Sequence, residues 1–519
     1  MKVNNINSNA QNFTSMGGLS KALYTLGNND MLNASFVDVF AMDTPRTIVE
    51  TNNRGKQAGI EMGFREYTGT FIAEFSSAVF AVLASKFIAK KLNPDIKVNS
   101  GSWITNNGLD VFSDIYNNSD KTPKGYVTNV LNSMSGISGD KTVKFSDIDS
   151  EKAKPIIENL TDLITNKSSD KKADKKALTN IQDEIINVFG ADNSTTIQSG
   201  EKKVTSNLTH ALRDIVDSGK NIFFNESKQD SAKVVSKLKK MNNLRIGIAV
   251  PLSMGLAITN QYINRLWTKK RTGIDNFVGE NGYENNVKGK NEKGKEKGLW
   301  AKKLVSAGIF TTMLTKVMGV KKPIDMVKKL EFNGPATSGN AIKTIYGTLI
   351  LGRIFASKDS TELRETNVRD YLGFLNWLVL GGFVAKGVGQ ALDPEQKNLF
   401  NISNKGKGIK HWLQDVSLKS QKEIIAQGGN VKSNLRKLNV AQMSGIAYSA
   451  IMLGVLLPKL NIWMTKSKDK GVGVNVVNED INYSNKIQNP GSGMDFMDLT
   501  FGSKYSSMRE FSKRIHNRG

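Results

Sequence analysis

The sequence predicts an all-α protein, a multi-helix membrane-embedded bundle built on a duplicated helix pair and carrying a polar helical insertion. Three observations predict it. LRIGIAVPLSMGLAITNQYINRLW (244–267) and LNVAQMSGIAYSAIMLGVLLP (438–458) contain uncharged runs of the length a bilayer-crossing helix requires. Short motifs recur in one register on both sides of these runs. A long polar region interrupts one copy of that pattern and not the other.

The opening residues, 1–60, read as a polar N-terminal region without the continuous apolar core of a cleaved signal peptide, so an internal segment is expected to direct any membrane entry. FIAEFSSAVFAVLASKFIAKKL (71–92) lies in the first apolar helix of repeat 1, placed at 61–94. Residues 95–230 form the insertion, with helical periodicity in AKPIIENLTDLITN, ALTNIQDEIINVF and VTSNLTHALRDIVDS. The second helix of repeat 1 occupies 231–275. GENGYENNVKGKNEKGKEKG makes 276–298 a flexible basic linker that can bury little. Two weaker apolar helices follow at 299–360, expected to be re-entrant, interfacial or packed on their neighbours. Repeat 2 comprises 361–394 and 428–468, joined by a connection at 395–427, and 469–519 is a polar tail. Four to six helices are expected in the membrane.

The duplication rests on paired flanks. VVSKLKKMN (234–242) and VKSNLRKLN (431–439) share one offset with Asn264, Thr268 and Lys269 against Asn461, Thr465 and Lys466. REYTG (65–69) and RDYLG (369–373) each open an apolar run that closes at Lys86 or Lys386. These two lysines are expected to reach toward headgroups. Because the second copy closes through 395–427 alone, the insertion is expected to be dispensable to the helix pair.

Arginine is scarce in this chain: 58 of its 72 cationic residues are Lys. Arg46, Arg54, Arg65, Arg353, Arg364 and Arg369 nevertheless gather before the two repeat units, where a planar guanidinium offers what Lys cannot. Glu66, Asp370 and Glu365 are the nearby acceptors. The plainer expectation is that these charges are solvated or interfacial. The interaction candidates are therefore Arg65, Glu66, Arg369, Asp370, Lys86, Lys386, Asn264 and Asn461, with Pro251 as a residue expected to interrupt its helix.

The formal charge of +24 suits an anionic surface, although part of it follows a compositional bias toward Lys, Asn and Ile. Most lysines scatter through linkers without interleaved aromatics, so no specific nucleic-acid partner is expected. The absence of Cys excludes disulfides, thiolate metal sites and cysteine nucleophiles. His210, His411 and His516 read as separate surface residues, and DIDSEKAKP (147–155) as a helix start rather than a calcium loop. Phosphate loops, dinucleotide fingerprints, HExxH and GxSxG motifs are missing from the sequence. No catalytic, cofactor-binding or metal-ligating residue is assigned, and the chain is not expected to be an enzyme.

The leading functional expectation is a multi-pass integral protein, placed in a bacterial cell membrane, with a scaffold or interaction role. Its expected partners are the lipid bilayer with its anionic headgroups and a protein bound through 95–230. The alternatives are a membrane transporter or channel with a duplicated helix pair, and a soluble basic helical protein that binds anionic surfaces.

Overall fold

The computed structural model describes residues 16–92, 102–166, 171–223, 231–272, 298–332, 334 and 337–469. Within them the chain is mostly helical, as an all-α protein should be. All but the ends of the linker (276–298) and tail (469–519) lie outside the described residues, as does His516.

Helix α1 (Gly18–Gly27) precedes a rod, α2, that spans 30–54. The side chain of Asn29 accepts from the Leu32 N–H to start α2. A π-helical turn at Val37–Asp43 widens the rod, and the Thr44 hydroxyl donates to the Val39 carbonyl at 2.7 Å. Gly55, at φ 93°, makes the reversal into the next rod, a backbone state that a Cβ would oppose. That rod, α3, covers 56–92 with a second π turn at Phe71–Ser76. Residues 30–54, read from sequence as part of a polar N-terminal region, thus form a helix with one closely packed side.

The insertion is not purely helical. Helices α4 (Asn106–Asn117) and α5 (Pro123–Asn132) lead into strands β1 (Met134–Ser138) and β2 (Lys141–Lys144). Helices α6 (Ser150–Thr165) and α7 (Lys171–Phe189) lead into β3 (Thr195–Ser199), β4 (Lys202–Ser206) and α8 (Leu208–Phe223). The four strands form one antiparallel sheet in the order β2-β1-β3-β4. This corrects the expectation of a polar helical insertion. The strands TTIQS and KKVTS alternate too weakly in polarity to stand out, but each hairpin turns at Ser-Gly-acid, with Gly139 at φ 64° and Gly200 at φ 57°. Phe112, Tyr126, Leu131, Leu160, Ile185 and Leu212 fill the core below. Asp149 caps α6, so 147–155 is a helix start.

Rod α9 (Ser231–Thr272) runs unbroken for 42 residues. Pro251 does not interrupt it: the residue one turn earlier, whose carbonyl a proline ring would crowd, is Gly247, and Pro251 itself is exposed. Rods α10 (Leu299–Val317) and α11 (Gly339–Ala356) follow, then α12 over 360–392 with a π turn at Asn376–Leu380. The connection contains β5 (Phe400–Ile402), α13 (Ile409–Gln414), β6 (Val416–Leu418) and α14 (Gln421–Gln427). The last rod, α15, spans 431–469 with a π turn at Ala450–Leu456.

The rods run alternately up and down. Rods α3 and α9 are antiparallel: Gln57 meets Arg271, Phe64 stacks on Trp267 at 4.3 Å, and the Thr68 hydroxyl donates to Asn260. Rod α11 lies alongside α9 so closely that a Cβ on Gly352 would come within 2.8 Å of the Ile258 backbone. Rod α10 pairs with α11 through Trp300 and Phe355 at one end and Leu314 and Gly347 farther along. Rods α12 and α15 meet at Gly381 and Gly445, where a Cβ on Gly445 would lie 2.6 Å from the Gly381 carbonyl oxygen.

Three helices, Lys56–Ile88, Ser231–Thr272 and Val431–Thr465, are long and apolar enough to cross a membrane. The last two contain the runs at 244–267 and 438–458. The first helix of repeat 2, at 361–394, is not among the three, and the two weaker apolar helices expected within 299–360 are α10 and α11. Rod α11 is buried along most of its length.

Rods α3, α9, α12 and α15 open onto the same polar body, because the connection docks on the insertion. The Ile402 N–H donates to the Gly139 carbonyl at 2.7 Å, and the Gly139 N–H donates to the Asn401 side chain at 2.9 Å. The insertion is therefore not an appendage of the first helix pair: its sheet is one wall of the site where the connection sits.

Candidate functional site: a buried ionic core

Where α2, α3, α11 and α12 converge, away from the polar body, guanidinium and carboxylate groups interlock. Glu66, only 2% exposed, receives three arginines: Arg46 at 3.3 Å, Arg65 at 3.4 Å and Arg353 at 3.3 Å. Arg353 reaches on to Asp370 at 3.1 Å, and Arg369 closes on the same carboxylate at 2.8 Å. Arg353 is thus the bridge between the acids of REYTG and RDYLG. A second branch joins Arg54 to Glu50 at 3.5 Å and to Glu365 at 3.1 Å. Arg46 also donates to the Leu453 carbonyl in the π turn of α15.

The arginines are therefore neither solvated nor interfacial. Arg46, Arg65, Arg353 and Arg369 are buried, and Arg54 is nearly so at its side chain. Burial of so many charges is tolerable only because each guanidinium finds acceptors at close range. The planar fork of arginine lets Arg353 hold two carboxylates at once, which a lysine ammonium could not do in the same plane.

The other sequence candidates divide. Asn461 is buried and donates to the Glu365 carbonyl at 3.3 Å, beside Thr465, which bonds the Glu365 carboxylate. Asn264 is also buried, with neither amide atom partnered. Lys86 is exposed. Lys386 is instead buried: its ammonium bonds the Trp412 carbonyl and sits 4.6 Å from the Trp412 ring, so it faces the connection rather than headgroups. Pro251 lies on an exposed face, apart from the core.

Several acids of this interior escaped the sequence reading. Asp38, Asp43 and Glu50 lie on α2, and Glu61 and Glu74 on α3, all of them buried. One signal for Glu61 was present. Aligning REYTG with RDYLG places Glu61 opposite Glu365, so that Glu-x-x-x-Arg-acid-Tyr-x-Gly occurs at 61–69 and 365–373.

A separate polar cluster ties the connection to the insertion. The Glu423 carboxylate accepts the N–H groups of Asp192 at 2.7 Å and Ser420 at 2.7 Å, and the Asn401 amide at 3.1 Å. Burial, reinforced by the charge of Asp192, raises Glu423 to about 7. Nearby, His210 is half-buried rather than on the surface; burial and then Arg213 lower it to about 4. His411 is also partly buried and pairs with Asp415 at 3.2 Å. Among the described residues, no group of three or more His, Cys, Asp or Glu side chains is arranged to hold a metal ion.

The fold and its core define a mostly helical protein in which long apolar rods enclose a dense ionic network. Compared with known protein families, curated proteins and solved structures, the chain has no match.

Proposed function

We propose that the chain is a multi-pass integral membrane protein whose duplicated helix pair encloses a charged interior, and that it works as an ion-coupled transporter rather than an enzyme. The observation that carries this reading is the contrast between the inside and outside of the same rods. Outward faces carry exposed Phe71, Leu83 and Phe87 on α3, Leu252, Ile263 and Leu266 on α9, and Ile451, Leu460 and Trp463 on α15. Apolar surface of that extent suits lipid contact. Inward faces hold the Glu66–Arg353–Asp370 network. Charges inside a lipid-facing bundle are costly and mark pathways for ions or substrates.

The duplication is supported by more than flanking motifs. Rods α3 and α12 each carry the Glu-x-x-x-Arg-acid pattern followed by a π turn, at Phe71–Ser76 and Asn376–Leu380. Each is antiparallel to a long rod bearing a buried Asn and Thr, Asn264 and Thr268 or Asn461 and Thr465. Because both pairs open toward the one polar body, the copies point the same way.

Membrane insertion is tested by extraction: resistance to carbonate and high salt, with release by detergent, is expected. Release by salt alone would favour a soluble protein bound to anionic surfaces. Transport is tested by reconstitution into vesicles with a pH- or ion-sensitive dye, comparing the native chain with Arg353→Lys. A specific flux that the variant loses supports the reading. Absence of flux across a broad panel of ions and solutes favours a scaffold. That second reading draws on a polar cleft of about 490 Å3 beside the polar body, lined in part by Asp30, Lys203, Asp214 and Lys343, which could receive a protein segment.

A further inference from the structure

The two helix pairs treat equivalent polar residues differently. In the second pair, Asn461 donates to the Glu365 carbonyl, and Thr465 bonds the Glu365 carboxylate and receives Arg364 at 3.1 Å. These contacts engage the Asn461 nitrogen and the Thr465 hydroxyl, and of the pair only the Asn461 oxygen has no hydrogen-bond partner. In the first pair, Asn264 is fully buried and neither its amide nitrogen nor its oxygen has a partner, and the Thr268 hydroxyl, 1% exposed, also has none. One turn before Asn264, Asn260 uses its oxygen to accept from Thr68, but its buried amide nitrogen lacks an acceptor.

These groups occupy one stripe, since positions 260, 264 and 268 are spaced by about one helical turn. The stripe faces α3. The contacts of Gln57 with Arg271 and of Thr68 with Asn260 bracket it, which brings it level with buried Glu61. Glu61 is the counterpart of Glu365 in the repeated pattern.

A buried amide with both ends unsatisfied is destabilising in an apolar interior, and native proteins ordinarily answer it with bound water. We propose that Asn260, Asn264 and Thr268, alongside Glu61, hold a short file of internal water in the first helix pair, at the position where the second pair bonds Asn461 and Thr465 directly to Glu365. The inference deepens the transport reading by giving the interior a hydrated segment. It rests on packing alone, so it can fail independently of membrane insertion or flux.

Two measurements on the full chain in detergent test it. Asn264→Leu keeps the number and branching of the side-chain heavy atoms and removes the polar group. If water is bound, the substitution strips it of partners and leaves Thr268 and Asn260 without solvent, so the melting temperature falls by a few degrees. If the stripe is dry, removal of an orphaned amide raises the melting temperature. Radiolytic hydroxyl-radical footprinting of the native chain reads the water directly, because radicals form where water is bound. Met62, adjacent to Glu61 and 2% exposed, should be oxidised at a rate well above that of buried Met42, also 2% exposed but on α2. A raised melting temperature for the variant, or equal protection of Met62 and Met42, overturns the proposal.

Discussion

The carboxylate of Glu423, on α14, accepts the backbone N–H of Asp192 at 2.7 Å, although 231 positions separate the two residues in the chain. This contact joins the connection of the second helix pair to the insertion of the first. Ser420 adds a hydroxyl donated to the Asp192 carboxylate at 2.8 Å, and Lys422 reaches Asp183 at 2.5 Å. The junction is a buried network, and it sets the first two predictions.

Acidification should tighten this junction. Burial raises Asp192, and burial reinforced by the charge of Asp192 raises Glu423 to about 7. A carboxyl that binds its proton more tightly when folded contributes stability fully below its unfolded pKa, near 4.5, and loses it as pH rises through about 7. At roughly 1.4 kcal/mol per unit the contribution is of order 3 kcal/mol. Hydrogen exchange of residues 399–427 should therefore slow between pH 8 and pH 5 after correction for the intrinsic rate, and Glu423→Gln should flatten that dependence. Protection independent of pH in the native chain would contradict the assignment.

Replacing 95–230 with a copy of the 395–427 connection should not give a folded protein. The exchange removes Gly139 and Asp192, so Asn401, Glu423 and the backbone around Ile402 lose buried partners. An unsatisfied buried carboxylate is among the costliest defects a core can hold. The shortened chain should elute as aggregate on size exclusion in detergent. A monodisperse peak with native thermal stability would show the docking to be dispensable.

Arg353→Ala should destabilise by about 3–5 kcal/mol, because it leaves Glu66 and Asp370 buried without their shared cation. Arg353→Lys restores the charge but not the bidentate reach, and should recover only part of the loss. Thermal unfolding of the two variants provides the comparison. Equal stability of Lys and Arg at this position would mean that the bridge acts as a point charge.

Single cysteines are easily read in a chain that has none. Asp140 and Lys407, exposed on the polar body, should be labelled from the same side of intact cells by an impermeant thiol reagent. Asn52, exposed at the opposite end of the rods, should be labelled only from the other side. Labelling of Asp140 and Lys407 from opposite faces would overturn the parallel arrangement of the helix pairs.

The helical class, the two long uncharged runs and the recurrence of REYTG as RDYLG were legible along the chain, because apolar periodicity and repeated spacing are properties of neighbours in sequence. The sequence also drew attention to Arg46, Arg65, Arg353 and Arg369, since arginine is scarce among so many lysines. That these arginines are buried came from the packing of the rods. Burial of a charge depends on partners brought from other rods, and Glu66 lies 287 positions from Arg353. The same physics hid α2: a helix with Asp38, Asp43, Arg46 and Glu50 looks solvated until acids and bases from neighbouring rods cover it. The sheet in the insertion was marked locally by its Ser-Gly-acid turns, but its polar strands needed one another, and the docked connection, before their pattern had meaning. Asn264 and Asn461 are alike in sequence setting; that one bonds Glu365 and the other is left open was decided by the packing of each pair.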